Sequence, residues 1–541
     1  MDRQIHPNSA MNDASAGLHF TTSAKLSSSP LLARNATLNL IAEGWTFLTL
    51  IVAFPKLVAY LGNTRFGLFS LAWVVIGYLA FLDIGVNRAA TKFLSEYLAT
   101  GNEQSVPQLV RLAILTNLGL GLLGGIVVAL ASPYFIHSVL HISQALDNEA
   151  RWTFYIVAFA VPVSLLHGIL RAVLTSYQRF GWINSVNLLA TTAQWSLAVL
   201  LAWKGAQVSL VVLVTVIARL LATSGYGLIV HRLLPAGSSH NSYSLEHLRE
   251  LVHFGGWVSV SQVISPILVY FDRVLIASLV SLGAVTLYTI PYEMMTRLRV
   301  IPSSLAATLY PAFSERGTKG QELYLQQLYE RSIRCLLLLL LPATIFLVLL
   351  APDLLTIWLG QALNHETATV MEILGFGVLA NGLSYVPYNM LQAVGRPDIT
   401  GKFHLIELPP YLLLCLVLIP RFGIAGAAMA STIRFAIDFA LLFWAADKQS
   451  GCTFQGVWTK PLRRILFLGL ALAGLLVAIR MGVESSKLRI GLGLVSGLLY
   501  AVASWIFAIG DFEKPRISAA LRKLWDRPEA QLAQTEQCVQ R

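Results

Sequence analysis

Residues 335–351 read CLLLLLLPATIFLVLLA, a stretch without a charged side chain that contains six consecutive leucines, Leu336 to Leu341. A helix that crosses the hydrocarbon core of a bilayer needs about 17 to 25 predominantly apolar residues, and this stretch alone supplies them. In hydrocarbon the backbone N–H and C=O groups can pair only with each other, so the stretch is a helix and not a strand. Working outward, it becomes the ninth of a series of expected spans: 36–61, 66–88, 109–131, 152–174, 184–203, 207–231, 250–275, 285–310, 333–351, 367–391, 399–420, 423–446, 462–481 and 489–510. The chain has 541 residues, of which 56% are hydrophobic and 12% charged. Soluble domains carry roughly 25% charged residues, so little is left for a water-facing domain. The expected fold is all-α and integral to the membrane, with about fourteen transmembrane helices.

Lys and Arg outnumber Asp and Glu, 39 against 28, for a formal net charge of +11. This excess orients the spans and does not call for a nucleic-acid partner. With the N-terminus in the cytoplasm, about 26 of these cations fall at cytoplasmic ends and loops and about 8 outside, the bias that cytoplasmic loops carry. Residues 351–370 hold no Lys or Arg and are expected outside. Both termini are then cytoplasmic. The Ser-, Asn- and Ala-rich residues 1–35 lack the apolar core of a secretory signal and read as a disordered tail, and 511–541 reads as a basic one. Cys335, Cys415, Cys452 and Cys538 fall in no outside loop, so no disulfide is expected. No Cys or His spacing suits zinc, and no cofactor is expected. Residues 395–402 resemble a phosphate-binding loop, but the glycine spacing is wrong and Phe403 replaces the Ser or Thr, so ATP hydrolysis has no support.

The chain repeats after about 220 residues. Leu61-Gly62, Gly67-Leu68-Phe69 and Phe93-Leu94-Ser95-Glu96 answer to Leu282-Gly283, Leu287-Tyr288 and Phe313-Ser314-Glu315. Further on, Leu170-Arg171-Ala172-Val173 answers to Leu391-Gln392-Ala393-Val394, each followed by a span, a turn at Gly205 or Gly423, and a span with one central arginine, Arg219 or Arg434. A repeat of six spans keeps both halves in the same orientation, related by an axis along the membrane normal with a cavity between them. The expected organisation is a tail over 1–35, six-helix bundles over 36–235 and 236–449, two additional helices over 450–510, and a tail over 511–541. Gly121 with Gly125 and Gly493 with Gly497 are spaced for close helix packing. Pro55, Pro162, Pro266, Pro302 and the pair Pro409-Pro410 mark possible helix breaks.

Several motifs then carry a resemblance. They are Gly67-Leu68-Phe69-Ser70, Leu82-Asp83-Ile84-Gly85 with Arg88, Tyr270-Phe271-Asp272-Arg273, Tyr310-Pro311-Ala312-Phe313-Ser314, Ile357-Trp358-Leu359-Gly360, Gly395-Arg396-Pro397 and Gly423-Ile424-Ala425-Gly426-Ala427-Ala428. In this order, over residues 34–446, the chain resembles the polysaccharide-transporter branch of the multidrug/oligosaccharidyl-lipid/polysaccharide flippase superfamily. The resemblance implies a secondary transporter of a bacterial inner membrane and not an enzyme. It would carry an undecaprenyl-diphosphate-linked oligosaccharide to the outer leaflet, alongside the polymerase and glycosyltransferases of the same pathway, with membrane lipids as its surroundings.

A charge near the bilayer centre costs at least ~2.5–3.5 kcal/mol, so it has a purpose or a partner. Arg219, Arg434, Arg297 and Arg299 lie near mid-span, and guanidinium forks match the oxygens of a lipid diphosphate. Asp438 and Glu293 stand one turn from Arg434 and Arg297 and offer a structural alternative for that pair. Glu43, Asp83 and Glu293 are the candidates for ion coupling. Asp272 beside Arg273 reads as a local structural pair. Two other functions stay open: a drug exporter of the same superfamily, which would favour an acidic or aromatic cavity, and an intramembrane glycan polymerase, ligase or glycosyltransferase. The latter would need an acid or base pair on a sizeable outside loop, and the longest such loop offers only His137, His141 and Asp147.

Overall fold

The computed structural model describes residues 29–83, 85–100, 102, 105–234, 256–316, 322–360, 365–450 and 458–508. Of the expected tails over 1–35 and 511–541, residues 1–28 and 511–541 lie outside them, whereas residues 29–35 are described and open the first helix. Among the described residues the apolar runs are helices and there is no strand. In chain order these are α1 (Ser29–Tyr78), a 3-10 turn (Leu79–Asp83), α2 (Val86–Thr100), α3 (Val106–Tyr134), α4 (Gln144–Ser176), α5 (Phe180–Trp203), α6 (Val208–Leu233), α7 (Gly256–Leu279) and α8 (Leu282–Thr296). A second 3-10 turn (Arg297–Arg299) leads into α9 (Val300–Arg316), followed by α10 (Glu322–Leu349), α11 (Ala351–Leu359), α12 (His365–Ala393), α13 (Pro397–Ser450), α14 (Lys460–Gly482) and α15 (Ser486–Phe507).

Ten helices among the described residues are long and apolar enough to cross a membrane, so this is a multi-pass membrane protein. Two of the ten, α1 and α13, are each a pair of helices joined at a glycine, Gly62 with φ 73° and Gly423 with φ 57°. Only glycine takes this left-handed conformation without a Cβ penalty. Here α7 stands at the seventh expected span, and the broken pair α8–α9 at the eighth.

The expected second span, 66–88, is not one helix. It stops at Tyr78, passes through the 3-10 turn, and restarts as α2 after Gly85, whose φ is 73°. The cause is local. Gly85 adopts a conformation that an ordinary residue resists, and the Asp83 carboxylate accepts the Asn87 backbone N–H at 2.9 Å, capping the new helix. Conversely, Pro55 lies in α1, whose break is at Gly62, Pro162 lies inside the unbroken α4, and Pro409 and Pro410 lie within α13, whose only non-helical residue is Gly423. Proline is tolerated in membrane helices because neighbours re-satisfy the carbonyl it leaves open.

The chain divides into two compact units, one made of residues up to Thr289 with His404–Ala427, the other of Ile290–Phe403 with the residues from Ala428 on. In the first unit α4 is the innermost helix, with 61% of its most apolar window buried, against 22% for α5 in the same unit. It packs on α3 at near backbone contact: a Cβ added at Gly121 would sit 2.5 Å from Pro162 Cα, and one at Gly125 would sit 2.5 Å from the Ala158 carbonyl oxygen. The expected close packing of this glycine pair is therefore present. At one end of α4, Glu149 pairs with Arg65 at 2.5 Å and accepts the Val208 N–H at 3.3 Å. At the other end, the Ser176 hydroxyl donates to the Thr91 carbonyl at 3.3 Å, and α2 buries Val86, Ala89, Ala90 and Leu94. Asp272 and Arg273 form the expected pair at 3.3 Å, both buried, with the Tyr288 hydroxyl donating to Asp272 at 2.5 Å.

In the second unit α14 and α15 are fastened to α10, α11 and α12. Arg489 pairs with the buried Asp353 at 3.1 Å, and Arg480 lies 3.7 Å from Glu372 while donating to the Leu349 carbonyl at 3.3 Å. Gly493 admits Phe346 and Leu350, whereas Gly497 has nothing within 4 Å, so only half of that second glycine pair serves packing.

Two helix ends close in the same way. Arg179 N–H bonds the Leu174 carbonyl at 3.0 Å and Arg396 N–H bonds the Leu391 carbonyl at 2.9 Å, each closing a helix over a residue of positive φ, Gln178 (56°) or Gly395 (80°). The breaks correspond too. Carried forward by the interval between Ser95 and Ser314, residues 79–83 fall on 298–302, overlapping the turn Arg297–Arg299.

This repeat makes a topological prediction. Single cysteines at Thr100 and Gln327 in a cysteine-free background are expected to react from the cytoplasmic side, and one at His365 from the outside. Labelling of Thr100 and Gln327 from opposite faces would break the parallel repeat.

Candidate functional site

Helical spacing places residues four apart on one face, and two such faces meet in the first unit. On α4 the pair is His167 and Arg171; on α6 it is Arg219 and Thr223, with Tyr226 three residues further. The Thr223 hydroxyl donates to the Arg219 carbonyl at 2.8 Å and lies 3.1 Å from His167 Nδ1. The His167 and Tyr226 rings are 4.9 Å apart, and the Tyr226 hydroxyl donates to the Ile183 carbonyl at 3.0 Å. Arg219 lies near the middle of α6, its guanidinium 5.7 Å from the Trp73 ring, which stacks on Trp195 at 6.3 Å. Neither Arg219 nor Arg171 has a carboxylate partner among the described residues. The face is therefore a cationic cluster walled by aromatic rings, chemically suited to an anion.

Two other expected arginines stand on a helix break. Arg297 and Arg299 form the 3-10 turn itself, and both are partly exposed. Arg297 pairs with Glu293 at 3.3 Å, each about a third exposed, which realises the one-turn pairing. Asp83 occupies the corresponding break of the first half, buried and bonded to the Asn87 N–H. Glu43 is exposed on α1.

These features stand on a chain of established kinship. Residues 32–316, more than half of the sequence, match the family described as polysaccharide biosynthesis protein. The chain belongs to this family.

Among curated relatives of this family member, a putative O-antigen transporter of Shigella flexneri is 25% identical over 76% of the chain and 96% of its own length. A probable low-salt glycan biosynthesis flippase of Haloferax volcanii is 21% identical over 70% of the chain and 76% of its own length. Of solved structures, the lipid II flippase MurJ in an inward closed conformation superposes with a TM-score of 0.69 at 13% identity, covering 88% of the chain and 98% of MurJ. An inward-facing multidrug resistance MATE family transporter of the MOP superfamily gives 0.63 at 14% identity, over 77% of the chain and 98% of its own. The all-helical transporter fold and the resemblance read from the motifs are thus borne out. The named relatives are transporters and flippases, in line with a transporter and not an enzyme.

In this family member Arg434 is placed unlike Arg219. It is 8% exposed, stacked at 4.4 Å on Phe435 with Asp438 equally buried one turn on, and its helix lies so close to α12 that a Cβ at Gly377 would come within 2.9 Å of Thr432 Cα and Phe435. The sequence reading passed over His167, Thr223, Trp73 and Trp195. The signal for His167 was available: an ionisable side chain inside an apolar span is a functional candidate by default. Trp73 and Trp195 gave none, since aromatic residues within spans are ordinary.

Proposed function

We propose that this chain flips a lipid-linked oligosaccharide, anchored on undecaprenyl diphosphate, from the cytoplasmic to the outer leaflet of a bacterial inner membrane by alternating access and without ATP hydrolysis. It supplies cell-surface polysaccharide synthesis and works beside the glycosyltransferases and polymerase of that pathway. The observation that carries the reading is the cluster of Arg219 and Arg171 without a carboxylate partner. Cationic drugs would be repelled there, whereas a diphosphate presents several oxygens to two guanidinium forks. Interrupted helices at corresponding positions of two repeats are where transporters of this kind bind their substrates, which supports Arg299 and Arg297 as phosphate-binding residues of the second unit in their own right. Arg434, buried beside Asp438, has a supporting part. Glu43 is the exposed candidate among the coupling carboxylates, Asp83 being engaged as a helix cap and Glu293 in an ion pair. The two six-helix bundles of the sequence reading are the bodies that rock, and both termini are cytoplasmic.

The test is a flipping assay in proteoliposomes with a lipid-linked oligosaccharide. Each elementary charge moved is worth ~2.3 kcal/mol per 100 mV, so an inside-negative potential is expected to accelerate outward flipping and ATP to have no effect. Arg219→Lys should keep part of the rate and Arg219→Ala should lose it, because lysine preserves charge but not the fork. Full activity of Arg219→Ala, or a requirement for ATP, would sink the reading.

A further inference from the structure

The hydrogen bonds around Thr223 fix which nitrogen of His167 carries its hydrogen. A hydroxyl has one proton to give. Thr223 gives it to the Arg219 carbonyl, which can only accept. Toward His167 the Thr223 oxygen must therefore accept, so Nδ1 bears the hydrogen and donates across 3.1 Å. Neutral His167 then has a bare Nε2, which has no hydrogen-bond partner among the described residues. Among the described residues the charged groups acting on the ring are Arg219 from α6 and Arg171 on its own helix, with no carboxylate among them, and Tyr226 is stacked on it.

We propose that His167 is the proton-taking member of a diphosphate site formed with Arg219 and Arg171: Nε2 is bare when the site is empty and gains a proton when the anion binds. This deepens the flippase reading and rests on it. A bare Nε2 presents a lone pair to an incoming phosphate oxygen and repels it. One added proton turns the same atom into a charged donor, which is the stronger kind of hydrogen bond to an anion. The proton comes from water, no covalent bond to the ligand forms, and the histidine returns to its neutral form when the anion leaves. Anion and proton thus bind together, and each strengthens the other by the same factor.

Calorimetric binding of inorganic pyrophosphate to the purified full chain in nanodiscs, from pH 7.5 down to 6, tests this. Acidification removes charge from pyrophosphate itself, so a site of fixed cations weakens across this range. The wild type is instead expected to bind more tightly as pH falls, by up to about tenfold per pH unit, with net proton uptake. His167→Gln keeps a partner for Thr223 but cannot take a proton; it should weaken as pH falls, with uptake reduced by up to one proton per anion. If Arg219→Ala abolishes binding while wild type and His167→Gln share one pH profile, the diphosphate site stands and the proton inference falls. Wild-type affinity that itself declines with acidification overturns the inference even where the variant does not fold. Absence of pyrophosphate binding overturns both readings. Displacement of pyrophosphate by undecaprenyl diphosphate and not by uridine diphosphate ties the site to a lipid-borne ligand; the reverse preference overturns the lipid-linked part of the proposal.

Discussion

Arg489→Ala is expected to lower the stability of the second unit by about 3–5 kcal/mol, the cost of stranding one member of a buried ion pair. Asp353 is only 3% exposed, and Arg489 is its partner at 3.1 Å, while the same guanidinium holds the Val483 carbonyl at 2.5 Å. Removing the arginine leaves a carboxylate buried at the start of α11 and frees the link between α14 and α15. Arg489→Lys should recover part of the loss through its charge, and Asp353→Asn combined with Arg489→Ala should recover part of it by removing the stranded charge. Thermal unfolding in detergent reads all of these. An Arg489→Ala protein that melts with the wild type would mean that α14 and α15 are not held by this pair.

Gly67→Val is the second large effect. A Cβ at Gly67 would overlap the Leu282 carbonyl oxygen and lie 2.8 Å from its carbon. Both are backbone atoms and cannot turn aside as a flexible side chain would. The same contact is bridged by the Thr286 hydroxyl, which donates to the Asn63 carbonyl at 2.6 Å. Overpacking a tight site costs about 1–3 kcal/mol and sometimes more, and a contact between backbones belongs at the upper end. Folded protein recovered from the membrane should fall sharply for Gly67→Val, and less for Gly67→Ala. Gly44→Ala, where nothing lies within 4 Å, is the control and should be near neutral. Equal recovery of all three variants would contradict the packing of α1 on α8.

The sequence made the membrane class and the repeat legible because both depend on composition and order. Residues 335–349 fall within α10, as their apolarity required, while Leu350 leaves the helix and Ala351 opens α11. Positions that depend on conformation were harder to read. The prolines looked like the breaks, but the chain breaks at Asp83 to Gly85 and at Arg297 to Arg299. At the first break a capping aspartate two residues before a glycine was the available signal. At the second, the three residues Arg297-Leu298-Arg299 contain no breaker of their own, and only Pro302, just inside α9, hints at a new helix start. The arginines were legible as charges but not as environments. Spacing foretold the pairing of Arg297 with Glu293, yet nothing in it told that Arg434 is almost wholly buried while Arg219 meets Trp73 and the His167 face. Such distinctions arise from which helices become neighbours, and periodicity along one helix does not contain them.

The interrupted second span of each half has a consequence for where lipid tails can go. A helix end leaves up to four N–H or four C=O groups unmatched, and in hydrocarbon each costs several kcal/mol. Asp83 provides for one of them, at Asn87. The others have to be met by protein or by water, so fatty acyl chains are kept from both breaks. Each half thus keeps lipid away from the same region of its second span, and part of the matching is done by the backbone itself, the Ala89 N–H bonding the Gly85 carbonyl and the Val300 N–H the Arg297 carbonyl. In the first half the carboxylate is spent on the backbone, while in the second Arg297 and Arg299 stand at the break only partly buried, where a guanidinium shielded from acyl chains keeps its charge at lower cost than in oil.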